Sequence, residues 1–155
     1  MSAAIAGGCQ CGQVRYAVSG PLFNAHICHC RMCQKAFGNF FAALVGVNKA
    51  DLQWTAGQPA YFRSSSVVRR GFCRNCGTPL TFAYSHTPHM NISIGSLDNP
   101  ELARVEKQYG IEGMRSAFPT LHELPGSRTE DDISAGDMAK LESFQHPDHD
   151  TDRQL

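Results

Sequence analysis

The sequence predicts a mainly β fold in one domain, a sandwich or folded-over sheet. Three observations lead there. Short runs rich in β-branched and aromatic residues recur from Val14 onward, turn formers separate them at close spacing, and helical periodicity is sparse. A chain of 155 residues that is 42% hydrophobic and 18% charged has the size of one domain and the composition of a globular one.

Each element follows from local pattern. Val14, Tyr16 and Val18 alternate with Arg15 and Ala17, then meet the turn signal Ser19-Gly20-Pro21. Residues 31–37 predict one or two helical turns, closed by Gly38 as a C-terminal cap. Residues 40–47 form an apolar run expected to be a buried strand, and strands are expected at 52–55, 60–63, 67–72, 80–84 and 90–94. Asn99-Pro100-Glu101 starts a short helix, with a capping residue ahead of a first-turn proline. Near the end, Ser134 and Asp137 resemble a capping box, and Met138, Leu141 and Phe144 fall on one face expected to dock weakly on the domain. Residues 146–155 read as a mobile tail.

Composition narrows the function classes. No run approaches the ~20 apolar residues of a membrane span, and residues 1–8 lack the basic and apolar regions of a signal peptide. The expected compartment is the cytoplasm, where thiols stay reduced. The formal charge is zero, yet residues 1–95 carry eight basic side chains against one acid, Asp51, while the remainder is acidic. A basic half can mark a nucleic-acid surface, but no aromatic-basic binding motif accompanies it. Its excess offsets thiolate charge and can steer a small anion.

The seven cysteines form three clusters: Cys9-Gln10-Cys11, Cys28-His29-Cys30-Arg31-Met32-Cys33 and Cys73-Arg74-Asn75-Cys76. In a reducing compartment such clusters read as metal sites before disulfides, and an odd count cannot pair fully. Cys73-x-x-Cys76-Gly77 is a knuckle, and with Cys9-x-Cys11 it completes a four-thiolate structural zinc site. Cys28, Cys30 and Cys33 then remain as a three-thiolate set with one coordination position open, which distinguishes catalytic from structural zinc. Such a centre suits a soft substrate thiolate held near an electrophile, unless a fourth ligand closes it as a brace. His29, between two ligands on an extended stretch, is expected to point away, facing solvent or supporting the ligands, and His26 stays open as a fourth ligand. His86 and His89 flank a proline turn and are poorly spaced for chelation. Arg69-Arg70 is either a carboxylate grip or a solvated strand edge.

Gly8-Cys9-Gln10-Cys11-Gly12, the Cys28–Cys33 cluster continuing into Gln34-Lys35, Phe72-Cys73-Arg74-Asn75-Cys76-Gly77-Thr78-Pro79-Leu80 and Gly95-Ser96-Leu97-Asp98-Asn99-Pro100 occur in this order. Together they resemble the glutathione-dependent formaldehyde-activating enzyme family, which includes centromere protein V. The resemblance covers about residues 5–125 and leaves 126–155 as a polar extension with a possible short helix. It implies a folded-tent β fold of small antiparallel sheets pinned by two zinc ions. One zinc is structural, on Cys9, Cys11, Cys73 and Cys76, and the other lies near the substrate, on Cys28, Cys30 and Cys33. The implied activity is that of a carbon–sulfur lyase joining formaldehyde to glutathione. The alternative is a zinc-stabilised binding module without turnover.

Overall fold

The computed structural model describes residues 5–152. Ten strands are present among them: β1 (Ile5–Gly8), β2 (Arg15–Val18), β3 (Phe23–Cys28), β4 (Ala42–Asn48), β5 (Leu52–Ala56), β6 (Ala60–Arg63), β7 (Val68–Phe72), β8 (Pro79–Tyr84), β9 (His89–Ser93) and β10 (Lys107–Tyr109). They make a three-stranded sheet in the order β1-β2-β5 and a seven-stranded sheet in the order β10-β3-β4-β9-β8-β7-β6. The mainly β class is as the sequence predicts. Every strand pair is antiparallel except β10 with β3, which is parallel.

The alternation of Val14, Tyr16 and Val18 buries all three, with Tyr16 fully enclosed. They join Val45, Val47, Leu80 and Ile92 in the main core, so the small sheet packs on one face of the large one. Each such side chain contributes roughly 1.5–3 kcal/mol on burial. The Tyr16 hydroxyl keeps a partner inside this core, the Ser96 hydroxyl at 2.8 Å. Arg15, on the opposite side of β2, is buried too, and its charge is met by a forked pair with Asp98 (2.7 and 2.6 Å).

The opposite face of the large sheet carries helix α1 (Arg31–Phe37). Cys33 on that helix packs with Ala42 and Leu44 of β4 in a second, smaller core. Strong helix formers fill α1, and Gly38 ends it at φ 58°, where a left-handed conformation favours glycine.

Three strands escaped the sequence reading. β1 and β10 are too short to show alternation. β3 is interrupted by Asn24 at φ 49°, which shifts its register against β4.

The C-terminal expectations need correction. The helix after Ser134 spans only Ala135–Met138, and Leu141 and Phe144 are 60% and 76% exposed, so the expected apolar face is not docked. His146, by contrast, is buried. Its backbone N–H donates to the Gln10 carbonyl at 2.7 Å, and its ring lies over Gly12, where a Cβ would collide with it. Asp150 accepts two further bonds from Arg15 (3.0 and 2.7 Å). Of the stretch expected to be a mobile tail, residues 146–152 are therefore strapped to the first cysteine turn and to Arg15 by partners distant in sequence, and residues 153–155 lie outside the described ones.

Candidate functional site

Cys9 and Cys11 sit at the end of β1 and in the turn to β2; Cys73 and Cys76 sit in the turn between β7 and β8. The Cys73–Cys76 turn closes with Gly77 N–H donating to the Cys73 carbonyl at 2.9 Å, Gly77 having φ 80°. All four sulfurs lie within 4.8 Å of one another and could hold a metal ion. Cys11 Sγ is 3.5 Å from Cys9 Sγ and 3.7 Å from Cys73 Sγ. Those spacings match the roughly 3.8 Å edge of a tetrahedron with 2.3 Å metal–sulfur bonds. Burial pushes the Cys9 thiol up to about 12. Burial also opposes ionisation of Cys76, but hydrogen bonding from Thr78 and Cys11 outweighs it and brings that thiol down to about 6. The cluster joins a loop of the small sheet to a loop of the large one.

Cys28 ends β3, Cys30 is the N-cap of α1 and Cys33 lies on its first turn. The spacing works because the chain changes from strand to helix within the motif. Cys30, with extended backbone, accepts the Cys33 N–H on its sulfur at 3.4 Å, and the turn brings Cys33 back beside Cys28. These three sulfurs also lie within 4.8 Å of one another and could hold a metal ion. The Cys28 hydrogen bond holds the Cys33 thiol down to about 5, with Arg70 assisting against burial. The same bond and burial push Cys28 up.

Neither nearby histidine joins the sulfur cluster. His26 donates from Nδ1 to the Asn24 carbonyl at 2.7 Å and stands edge-on to Tyr109. His29 does point away from the ligands, but into the protein: it is fully buried, between Phe118 and Phe41, with Nε2 2.8 Å from Gln108 Oε1. A solvent-facing His29 is thus excluded. Gln34, which carried no signal in the sequence, is buried and donates to the carbonyls of His29 and Gly113, both at 2.7 Å, tying α1 to the turn before it. His86 packs on Tyr84 and His89 on Phe23, and among the described residues neither belongs to a metal-ligating group.

A groove of about 350 Å³ opens beside the triplet. Cys28 and Cys33 stand in its wall with Leu44, Phe82, Asn91 and Tyr109. Strand register aligns part of its lining: Phe82, Asn91, Gly46 and Phe23 are successive cross-strand partners, and the same row runs on through Arg70 and Phe62 beyond the groove. Because Gly46 has no side chain, the Phe23 ring can lie over it. The groove's volume falls in the range of small-molecule sites. Its lining residues come from five strands, so no local motif reveals it.

The fold and these clusters define a small two-sheet protein with two thiol sites, one spanning the sheets and one opening on a groove. The chain belongs to the family described as glutathione-dependent formaldehyde-activating enzyme, whose profile matches residues 4–111. It is 31% identical over 80 residues to an uncharacterized lyase of Schizosaccharomyces pombe, an alignment covering 52% of this chain and 58% of that protein. A Rhodobacter sphaeroides protein of known crystal structure shares the fold with a TM-score of 0.54 at 24% identity, over 66% of this chain and 98% of that one. No helix among the described residues is long and apolar enough to cross a membrane.

Proposed function

We propose that this protein is a zinc-dependent carbon–sulfur lyase acting on a small thiol adduct of the glutathione-plus-formaldehyde type. Residues 5–125 form the working domain, and the expected setting is the reducing cytoplasm. The observation that carries the reading is the Cys28–Cys30–Cys33 cluster at the wall of a groove, three sulfurs with no fourth protein ligand beside them among the described residues. Cys9, Cys11, Cys73 and Cys76 hold a second, structural zinc in the same reading.

Both donor sets fit zinc, since zinc readily takes soft thiolates and each set's sulfurs lie within 4.8 Å of one another. When bound at the triplet, zinc would supply a Lewis-acidic position for the substrate sulfur. The protein's own residues do the rest. Cys28, Cys30 and Cys33 fix the point where that sulfur arrives. Phe82 and Leu44 give the groove an apolar floor that excludes water from the reacting carbon, while Asn91 and Tyr109 offer polar contacts to the remainder of the thiol.

The test is exchange NMR of glutathione with formaldehyde, using wild type and Cys30→Ser. Acceleration by wild type that Cys30→Ser abolishes is the expected result. Equal rates in both, or none in either, would defeat the catalytic reading.

A further inference from the structure

Arg69 and Arg70 are neighbours in sequence but not in environment. β7 sends them to opposite faces: Arg69 is exposed, with its guanidinium over the Tyr61 ring at 4.3 Å, whereas Arg70 is only 7% exposed. Burying a guanidinium is costly unless something compensates its charge. Among the described residues Arg70 forms no ion pair with a carboxylate. Residues 1–95 contain a single acid, Asp51, and its carboxylate is bonded to Asn48. What Arg70 has instead is Cys33, with Nη2 3.4 Å from Sγ. Nε donates to Ser64 Oγ at 3.1 Å, and the guanidinium carbon lies 4.8 Å from the centre of the Phe82 ring in the groove. Nη1 is buried without a hydrogen-bond partner. Such an arrangement is a cation fixed against one sulfur of the triplet.

We propose that Arg70 is a positioning residue for the triplet, a buried counter-cation that lets the open position accept an anionic sulfur rather than a neutral ligand. This rests on the metal reading above. Three thiolates and a divalent ion carry a net −1. A fourth thiolate would make −2 in a half-buried place, which is unfavourable at short range in a medium of reduced dielectric. With Arg70 the resting centre is neutral and the substrate-bound one is −1. Donation to Cys33 also draws electron density from that ligand, as hydrogen bonds to metal ligands generally do. Arg70 thus acts through Cys33 and selects for the substrate's ionised thiol.

The test uses protein loaded with cobalt(II), whose visible spectrum reports its ligands. Two probes are titrated at one pH: 2-mercaptoethanol, charged only at sulfur, and imidazole, a neutral ligand. The variants are Arg70→Gln, Arg70→Lys and Ser64→Asp. The last keeps Arg70 but pairs it with a carboxylate, so it stands in should Arg70→Gln fail to fold. The expected result is an affinity for 2-mercaptoethanol weakened about tenfold or more in Arg70→Gln and Ser64→Asp, with imidazole binding within about twofold of wild type and Arg70→Lys intermediate, since it keeps the charge but not the fork or the stacking on Phe82. Wild-type-like thiol affinity in Arg70→Gln or Ser64→Asp, or equal weakening of both probes, would overturn the Arg70 assignment while leaving the metal reading intact. A wild-type spectrum that responds to no thiol would overturn both.

Discussion

The sulfur atoms of Cys11 and Cys73 lie 3.7 Å apart although 62 residues separate them in the chain. Cys11 belongs to the turn after β1 in the small sheet, and Cys73 to the turn after β7 in the large one. A metal ion between them would therefore join the two sheets. Structural zinc in small domains can supply ~10–16 kcal/mol of apparent binding free energy, which is then folding free energy.

Cys73→Ser should accordingly abolish stable folding, while Cys30→Ser, which touches only the triplet, should shift the midpoint of thermal unfolding by a few degrees at most. Circular dichroism melts of both proteins check this. The reverse order would mean that the roles of the two clusters are exchanged.

Metal removal should proceed in two stages. A chelator titrated into the fully loaded protein should take one zinc per chain with little change in ellipticity, because an exchangeable fourth position gives it access. The second should leave only together with β structure. Simultaneous loss of both would contradict an open triplet site.

Filling the groove should separate binding from metal holding. Asn91→Trp places a large side chain beside Phe82 and across from Cys28 and Cys33. It should raise KM for the thiol adduct at least about tenfold, roughly the effect of losing one good contact, with two zinc per chain retained by elemental analysis. Unchanged KM would move the substrate elsewhere.

The Arg15–Asp98 pair should be a stability determinant independent of both metals. Arg15 is 5% exposed and Asp98 grips it with both carboxylate oxygens. The Asp98 bonds raise the guanidinium's affinity for its proton and outweigh burial, which lowers it. Removing Asp98 leaves the buried Arg15 with only the exposed Asp150 carboxylate, so Asp98→Ala should cost roughly 2–3 kcal/mol in urea unfolding. Asp150→Ala should cost under about 1 kcal/mol, because that carboxylate is 64% exposed.

Sequence and structure agree where the determinant is local. Gly38 and Gly77 mark left-handed positions that close a helix and a knuckle, and both occupy them. Cys30 and Cys33 sit at the cap and first turn of the short helix that the sequence predicts at 31–37, so local geometry brings their sulfurs together. Alternation around Tyr16 identified a buried strand because a half-buried sheet requires period two. The chain by itself thus determined the mainly β class, the composition of each thiol cluster and the family. Tertiary structure decided what lies beside them. Arg70 became a buried partner of Cys33 because β7 alternation and its pairing with Phe82 aim it beneath α1, although the sequence offered only two adjacent arginines. His29 was turned into the protein by Gln108 and Phe118, and His146 was fastened over Gly12. The groove exists because five strands and α1 bring their side chains to one face of the large sheet. Local geometry is written in neighbouring residues, whereas the surroundings of a charge or a ring depend on which strands the fold sets side by side.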